Sequence, residues 1–444
     1  MLTILFIGFS ISSCKKYLDA KPNLSLSTIN SLEDLQALLN HTTVLNAADP
    51  EIGEVECDDY YVSYANWQSA DVDDQNLYYW DPNEIFDEWS STYEAVYCAN
   101  VVLDNISNFN DVDSLSEYNS IEGQALFFRG FTFYKIAQIY SPTLNATTQS
   151  EPLGICLRLT SSITAPSARS TVQQTYNQII QDLSMAAKLL PVISTYKTTP
   201  NKAGAYGALA KVYLSMEDYT NAEKYADSCL SLYNTLIDYN TLSQTATYPF
   251  SLFNDEVIFH SEYQSSGILS NSSAVIDSSL RDLYQVNDLR STLFFAVNSD
   301  GTSSFKGDYS GNDYGYPEFD GIATDEIYLI KSECEARNGD VADAISDLNT
   351  LLIKRWKTGT FVADTATNAS SALSQILTER RKEFVFRNIR WSDLKRLNQD
   401  PNYAVTLTRN LNGTVYTLAP GDLRYESLIP ASVISLAGIQ QNPR

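Results

Sequence analysis

The chain has 444 residues, 44% of them hydrophobic and 19% charged, with 54 acidic side chains against 30 Lys and Arg and a formal charge of −24. This balance excludes a disordered or low-complexity chain, and it excludes a nucleic-acid partner, because phosphates are held by Lys and Arg. Two histidines, His41 and His260, leave little room for a histidine-based metal or triad site. At roughly 150 residues per domain, the length predicts about three domains or one repeat-built unit.

The first eleven residues, MLTILFIGFSI, are an apolar run of signal-peptide length, too short to span a bilayer. Ser12-Ser13-Cys14 and then Lys15-Lys16 follow, a pattern that resembles a lipobox. The resemblance implies cleavage before Cys14 and its acylation, which anchors a domain without a membrane-spanning helix. No Lys or Arg precedes the apolar run, a departure from the usual pattern. Residues 15–31 read as an extended tether. Ser31 with Glu33-Asp34 and then Leu35, Leu38 and Leu39 predicts a capped helix start.

The charge is segregated along the chain. Between Pro22 and Phe128 there is no Lys or Arg, yet that stretch holds 21 of the 54 acids. It reads as an acidic solvated face, or as a face that orients the protein toward a basic partner or holds a cation. Residues 49–83 are acidic and aromatic without clean periodicity, which predicts loops. Asp71-Val72-Asp73-Asp74 opens like an EF-hand loop, but position six is Asn76 and position twelve is Pro82, so that loop is discounted. A looser structural calcium site is the other reading of these carboxylates; no cofactor is expected otherwise.

Helical spacing follows. Trp89, Tyr93, Val96, Tyr97 and Val101 mark one helix face, which assigns Trp89 and Tyr93 to the core. Residues 120–140 read as an amphipathic helix ending before Ser141-Pro142, and 172–190 as another ending before Pro191. Residues 203–230 fit a tetratricopeptide hairpin through Ala208, Ala210, Tyr213, Ala222, Ala226 and Cys229. A second copy runs from Ile327 to Ile353. Between them, 236–322 is rich in Ser, Tyr, Asn, Asp and Gly, an irregular insertion with short strand-like pieces at Glu256 to His260 and Thr292 to Val297. Cys57, Cys98, Cys156, Cys229 and Cys334 are odd in number without CxxC spacing, and are expected as buried small hydrophobes.

Several separated segments resemble one family. Cys14-Lys-Lys-Tyr-Leu-Asp-Ala-Lys-Pro22 is similar to the mature start of SusD/RagB outer-membrane nutrient-binding lipoproteins. Residues 378–397, TERRKEFVFRNIRWSDLKRL, resemble that family's signature helix, and the end from Leu428-Ile-Pro-Ala-Ser to Gln440-Gln-Asn-Pro443 its closing segment. Ala125 to Tyr140 and Asp325 to Arg337 are similar to its helices. The resemblance implies an all-α dominated, tetratricopeptide-like scaffold with an irregular ligand-binding lobe. It gives one SusD-like domain over 32–444, with helical repeats at about 84–140, 172–235 and 323–397. It also implies a surface lipoprotein of a Bacteroidetes-type bacterium, lipid-anchored in the outer membrane, that captures oligosaccharides for a SusC-like TonB-dependent transporter and does not catalyse.

In the 378–397 segment, seven cations (Arg380, Arg381, Lys382, Arg387, Arg390, Lys395, Arg396) meet Glu379, Glu383 and Asp393. Glu379 and Glu383 fall at i, i+4, so the segment is expected to lock itself to the repeats by ion pairs and aromatic packing. No GxGxxG, P-loop or GxSxG motif stands in a usable context.

Sugars stack their C–H faces on aromatic rings and pair their hydroxyls with donors and acceptors. The candidate glycan-binding residues are therefore Asp58, Asn66, Trp67, Asp74, Asn76, Tyr78, Tyr79 and Trp80, with Tyr314 and Tyr316 in the Gly-containing loop that also holds Tyr309, Asn312 and Phe319. The same loops would fit a peptide. A surface glycoside hydrolase and a helical-repeat scaffold that binds protein are the alternative readings.

Overall fold

A computed structural model describes residues 29–109, 115–144, 152–311 and 317–444. The expected lipidation site Cys14, the first part of the tether, and Tyr314 and Tyr316 lie outside the described residues. Among the described residues, no helix is long and apolar enough to cross a membrane.

The longer helices are α1 (Leu32–Leu39), α2 (Trp89–Asn105), α3 (Leu115–Tyr140), α4 (Val172–Leu189), α5 (Lys202–Ser215), α6 (Tyr219–Leu230), α7 (Thr324–Asn338), α8 (Val341–Leu352), α9 (Ala369–Glu383) and α10 (Arg390–Leu397). They pack in series: α2 on α3, α3 on α4, α4 on α5, α5 on α6, α6 on α7, and α7 on both α8 and α9. The helix starts are written locally. Ser31 accepts from Asp34 N, as its position predicts. Thr171 and Gln174 form a reciprocal capping box on α4, and Asn368 and Ser371 do so on α9. Asn201 and Asp218 cap α5 and α6. Gly339 ends α7 at φ +97, a left-handed conformation that favours glycine.

The two repeat hairpins fall where the spacing puts them, as α5–α6 and α7–α8. Ala208, Ala210, Ala222, Ala226 and Cys229 are all fully buried between helices. The five described cysteines are buried and free. α3 differs from its expected amphipathic form: it is enclosed along most of its length, with both Arg129 and Lys135 inside. Arg129 forks onto Asp182 of α4 at 2.7 and 2.8 Å. Beside it, a Cβ on Gly130 would sit 2.9 Å from the Asp182 Cβ, so the glycine permits the close approach that lets the pair form. Lys135 donates to Asp49, to Ser261 Oγ at 2.8 Å and to the Asp320 carbonyl at 3.0 Å.

The 378–397 segment is not one helix. α9 stops at Glu383 and α10 starts at Arg390; Phe386 and Asn388 between them have φ of 56 and 54. Tertiary contacts hold this reversal. Phe386 stacks on Phe305 at 5.1 Å, and Asn388 Nδ2 donates to the Pro50 carbonyl at 2.7 Å and to Asp320 Oδ2 at 3.0 Å. Within the segment Lys382 pairs with Glu379, and Arg380 and Arg396 with Asp393, while Arg396 also reaches Glu333 of α7. Glu383 instead takes its cations from elsewhere: Arg290 bonds Glu379 and Glu383, and Arg355 bonds Glu383 and Glu256.

Residues 49–83 are more ordered than the loops expected of them. They form short helices Ile52–Glu56, Tyr64–Ser69 and Val72–Tyr78, and a strand Tyr60–Val62 paired antiparallel with Ala274–Ile276. Asp73 and Asp74 therefore lie on a helix and not in a calcium loop. The acidic quarter is also no purely solvated face: Glu51, Glu54, Glu56, Asp59 and Asp74 are buried.

Candidate functional site

Four aromatic rings from three elements form a row beside this acidic segment. Tyr64 and Trp67 are three residues apart on the helix Tyr64–Ser69, so they share a face; their ring centroids are 5.5 Å apart and nearly parallel, at 23°. Trp67 meets Tyr79 edge-on at 6.1 Å, and Tyr79 meets Tyr416 at 4.6 Å. Tyr64 is 38% exposed and Tyr61 nearby 39%, while Trp67, Tyr79 and Tyr416 are half-buried.

Two of the rings are held by local polar contacts. The Trp67 indole N–H donates to the Gln75 carbonyl at 3.0 Å. The Tyr79 hydroxyl donates to Asp81 Oδ2 at 2.7 Å, with Asn76 Oδ1 at 3.2 Å. Burial and the neighbouring Asp81 push the Tyr79 phenol upward, so it stays neutral. Tyr416 rides on a two-stranded hairpin, Leu407–Leu411 with Thr414–Leu418. Asn412 and Gly413 take φ of 52 and 86 at its tip, which suits an Asn-Gly turn.

Arg409 fixes that hairpin to the acidic segment. Its Nη1 donates to the Tyr60 carbonyl at 2.7 Å, its Nη2 to the Cys57 carbonyl and its Nε to the Tyr78 carbonyl at 3.3 Å. The guanidinium lies 4.2 Å from the Tyr78 ring centroid and 5.3 Å from those of Tyr60 and Trp80.

The sequence candidates thus divide. Trp67, Tyr79 and Asn76 come together in the row. Asn66 lies beside it, with its Nδ2 spent on the Ser272 carbonyl at 3.2 Å. Tyr78 and Trp80 are each 2% exposed and form the floor beneath the row, which corrects the expectation of exposed rings. Tyr78 accepts from Val62 N and Trp80 donates to the Glu56 carbonyl, so a buried polar tip is satisfied in each case. Asp74 is buried, with its carboxyl pushed up to about 6 by burial. Asp58 is held by Arg390 and Arg381 and offers a sugar little. In the other loop, Tyr309 and Phe319 are buried as packing residues.

Tyr64, Tyr416 and Arg409 were missed. The Ser63 cap before Tyr64 and the Asn412-Gly413 turn between alternating residues are the local signals that could have found the first two. Nothing local points to Arg409.

Two other constellations stand apart from the row. Glu54, Cys57 and Asp59 bring ligand-type atoms within 4.8 Å of one another. Their partners are protein groups: Glu54 accepts from Cys57 Sγ at 3.4 Å and from Asn388 N at 2.9 Å, and Asp59 pairs with Arg381. They read as a hydrogen-bonded network, not a metal centre. An interior cavity between Lys135, Lys211, Asp320, Glu326 and Arg380 has about 40 Å³, room for water and too small for a sugar ring.

Comparison with known proteins agrees with this architecture. A SusD-like family profile described as starch-binding and associating with the outer membrane matches residues 16–214, and the SusD family profile (SusD/RagB) matches 298–427. A SusD-like protein P2 from Formosa agariphila is 28% identical over 138 residues, which is 31% of this chain and only 25% of that protein's length. A putative sugar-binding protein from Bacteroides vulgatus ATCC 8482 superposes with a TM-score of 0.78 at 21% identity, covering 94% of this chain and 99% of that one. A SusD superfamily protein from Bacteroides thetaiotaomicron VPI-5482 gives 0.73 at 21%, covering 94% and 100%. A SusD-like carbohydrate-binding protein from Bacteroides vulgatus ATCC 8482 gives 0.70 at 20%, covering 92% and 97%. At these identities the structural likeness is one of fold.

Proposed function

Because this chain belongs to the SusD/RagB family of non-catalytic binding proteins, we propose that it is a cell-surface glycan-binding lipoprotein that captures oligosaccharides for a SusC-like TonB-dependent transporter. The observation that carries this reading is the row Tyr64–Trp67–Tyr79–Tyr416, whose rings are partly open to solvent and fixed from below by Arg409.

The mechanism is capture. Rings held on a rigid floor stack against sugar C–H faces with little ordering cost on binding. Asn76, Asp81 and the exposed Asp71 and Asp73 supply acceptors for hydroxyls. Acylated Cys14 would keep the site at the membrane surface, within reach of the transporter's mouth. The putative sugar-binding and carbohydrate-binding proteins that share the fold support the ligand class.

The test is one incubation with two readouts. The chain from Lys15 onward is mixed with a panel of neutral oligosaccharides, and heat of binding and new reducing ends are both recorded. Heat without new ends is the expected result. Binding confined to peptides would overturn the glycan assignment.

A further inference from the structure

We propose that the protein has a second saccharide-binding cleft, separate from the aromatic row, between the start of α6, the end of α7 and the start of α9. The cleft has about 570 Å³ of space, within the range of small-ligand sites and large enough for a short oligosaccharide. Its working residues are Tyr219, Arg337, Ser374, Asp400, Asn402 and Tyr403.

The chemistry of this cleft selects a neutral polyol. Arg337 is held in place: its Nε donates to Glu333 Oε1 at 2.9 Å and its guanidinium lies 4.6 Å from the Tyr219 ring centroid. Its Nη1 and Nη2 have no hydrogen-bond partner among the described residues, and Arg337 lines the cleft. Asp400 accepts the backbone and side-chain N–H groups of Asn402 through Oδ1, both at 2.9 Å, which leaves Oδ2 as an acceptor. Asn402 is exposed and Tyr403 half-buried. An anion would be repelled by Asp400, and a cation would be repelled by Arg337. A sugar meets every part of the wall, with hydroxyls that both donate and accept and with apolar faces for the two tyrosines.

The cleft is distant from the row. Ser370 and Ser374 stand at the start of α9, whereas Arg381 near its end pairs with Asp58 and Asp59 beside the row's floor. The eleven rises from Ser370 to Arg381 span about 16 Å of helix axis. A chain held at both places would be retained by avidity, since the second contact is made at high effective concentration.

The experiment is calorimetric titration with neutral di- to tetrasaccharides at up to about 10 mM, a range that reads millimolar affinity. It compares the wild type, Trp67→Ala, and Trp67→Ala combined with either Asn402→Ala or Ser374→Trp. Asn402 and Ser374 are exposed, so neither substitution opens the core. We expect Trp67→Ala to keep a residual binding that Asn402→Ala weakens at least tenfold and Ser374→Trp abolishes. Loss of all binding on Trp67→Ala alone would overturn the second cleft while leaving the proposed function standing. Residual binding that Ser374→Trp leaves unchanged would also overturn it. Absence of any saccharide binding by the wild type would overturn both readings.

Discussion

Arg390 reaches Asp58 across 332 residues of sequence, with Nε 2.6 Å from Oδ1 and Nη2 2.9 Å from Oδ2. This fork joins the basic 378–397 segment to the acidic quarter, so two blocks of opposite charge in the sequence are partners in the fold. Burial pushes the Asp58 carboxyl up, but the Arg390 guanidinium with its hydrogen bonds, and Arg381 beside it, pull it well below the usual carboxylate range. Removing one partner of a buried pair costs about 3 kcal/mol, because the other charge is left uncompensated. Asp58→Asn should lower the free energy of unfolding by that order in urea titration. The double variant Asp58→Asn with Arg390→Met should recover part of the loss. A double variant as weak as the sum of the singles would argue against the pairing.

The row and its floor should respond differently to mutation. Tyr64→Ala and Trp67→Ala should each weaken oligosaccharide affinity tenfold or more, about 1.4 kcal/mol, the exposed Tyr64 with little change in stability. Tyr78→Phe removes the hydroxyl that accepts from Val62 N at 3.0 Å, so it should cost about 1 kcal/mol of stability and leave affinity near wild type. Paired calorimetry and denaturation on the same preparations separate the two. Equal loss of affinity in all three variants would remove the distinction between row and floor.

Arg409 couples the hairpin to the acidic segment, so its loss should move Tyr416 without touching any ligand. Arg409→Met strips donors from the Cys57, Tyr60 and Tyr78 carbonyls. We expect destabilisation of about 3 kcal/mol and faster amide hydrogen exchange in 407–418. Unchanged exchange in the hairpin would show that its strands hold without the arginine.

Glu54 gives the fold a pH dependence of definite sign. Burial, then repulsion from Asp59, pushes its carboxyl up to about 8 against an ordinary value near 4.5. The native state therefore binds this proton more tightly than the unfolded chain does. Stability from Glu54 is fully present below about pH 4.5 and falls as pH rises toward 8, at up to about 1.4 kcal/mol per unit. Glu54→Gln should flatten the stability profile between pH 5 and 8 relative to wild type. A parallel profile in the variant would show that other groups set the slope.

Association with the proposed transporter has an electrostatic signature of its own. Asp71, Asp73, Asp87 and Glu94 are exposed on the acidic quarter. If that face meets the transporter, the complex should weaken as sodium chloride is raised from low to physiological strength. A salt-independent affinity would place the interface elsewhere.

The helical frame was legible because its signals are local. Ser31, Thr171, Asn201, Asp218 and Asn368 all cap helices, and small residues at repeat spacing mark where helices approach. The aromatic density of 58–83 also pointed to the segment that carries three of the row's four rings. Which of those rings face outward was not legible. Trp67 and Trp80 have similar neighbours in sequence, yet one is half-buried in the row and the other is 2% exposed beneath it.

By itself, the sequence determined the helix starts and stops, the repeat hairpins, the five thiols bound for the interior and the family, because capping, period and residue size act over a few positions. Only the tertiary structure decided the break at Phe386–Asn388, the enclosure of α3 and the burial of five acids, because each depends on partners that are remote in the chain. It also decided the aromatic row. The row forms because Arg409 brings Tyr416 to Tyr79 through carbonyls of Cys57, Tyr60 and Tyr78, and a contact to backbone oxygen leaves no mark on the identity of the residues that accept it.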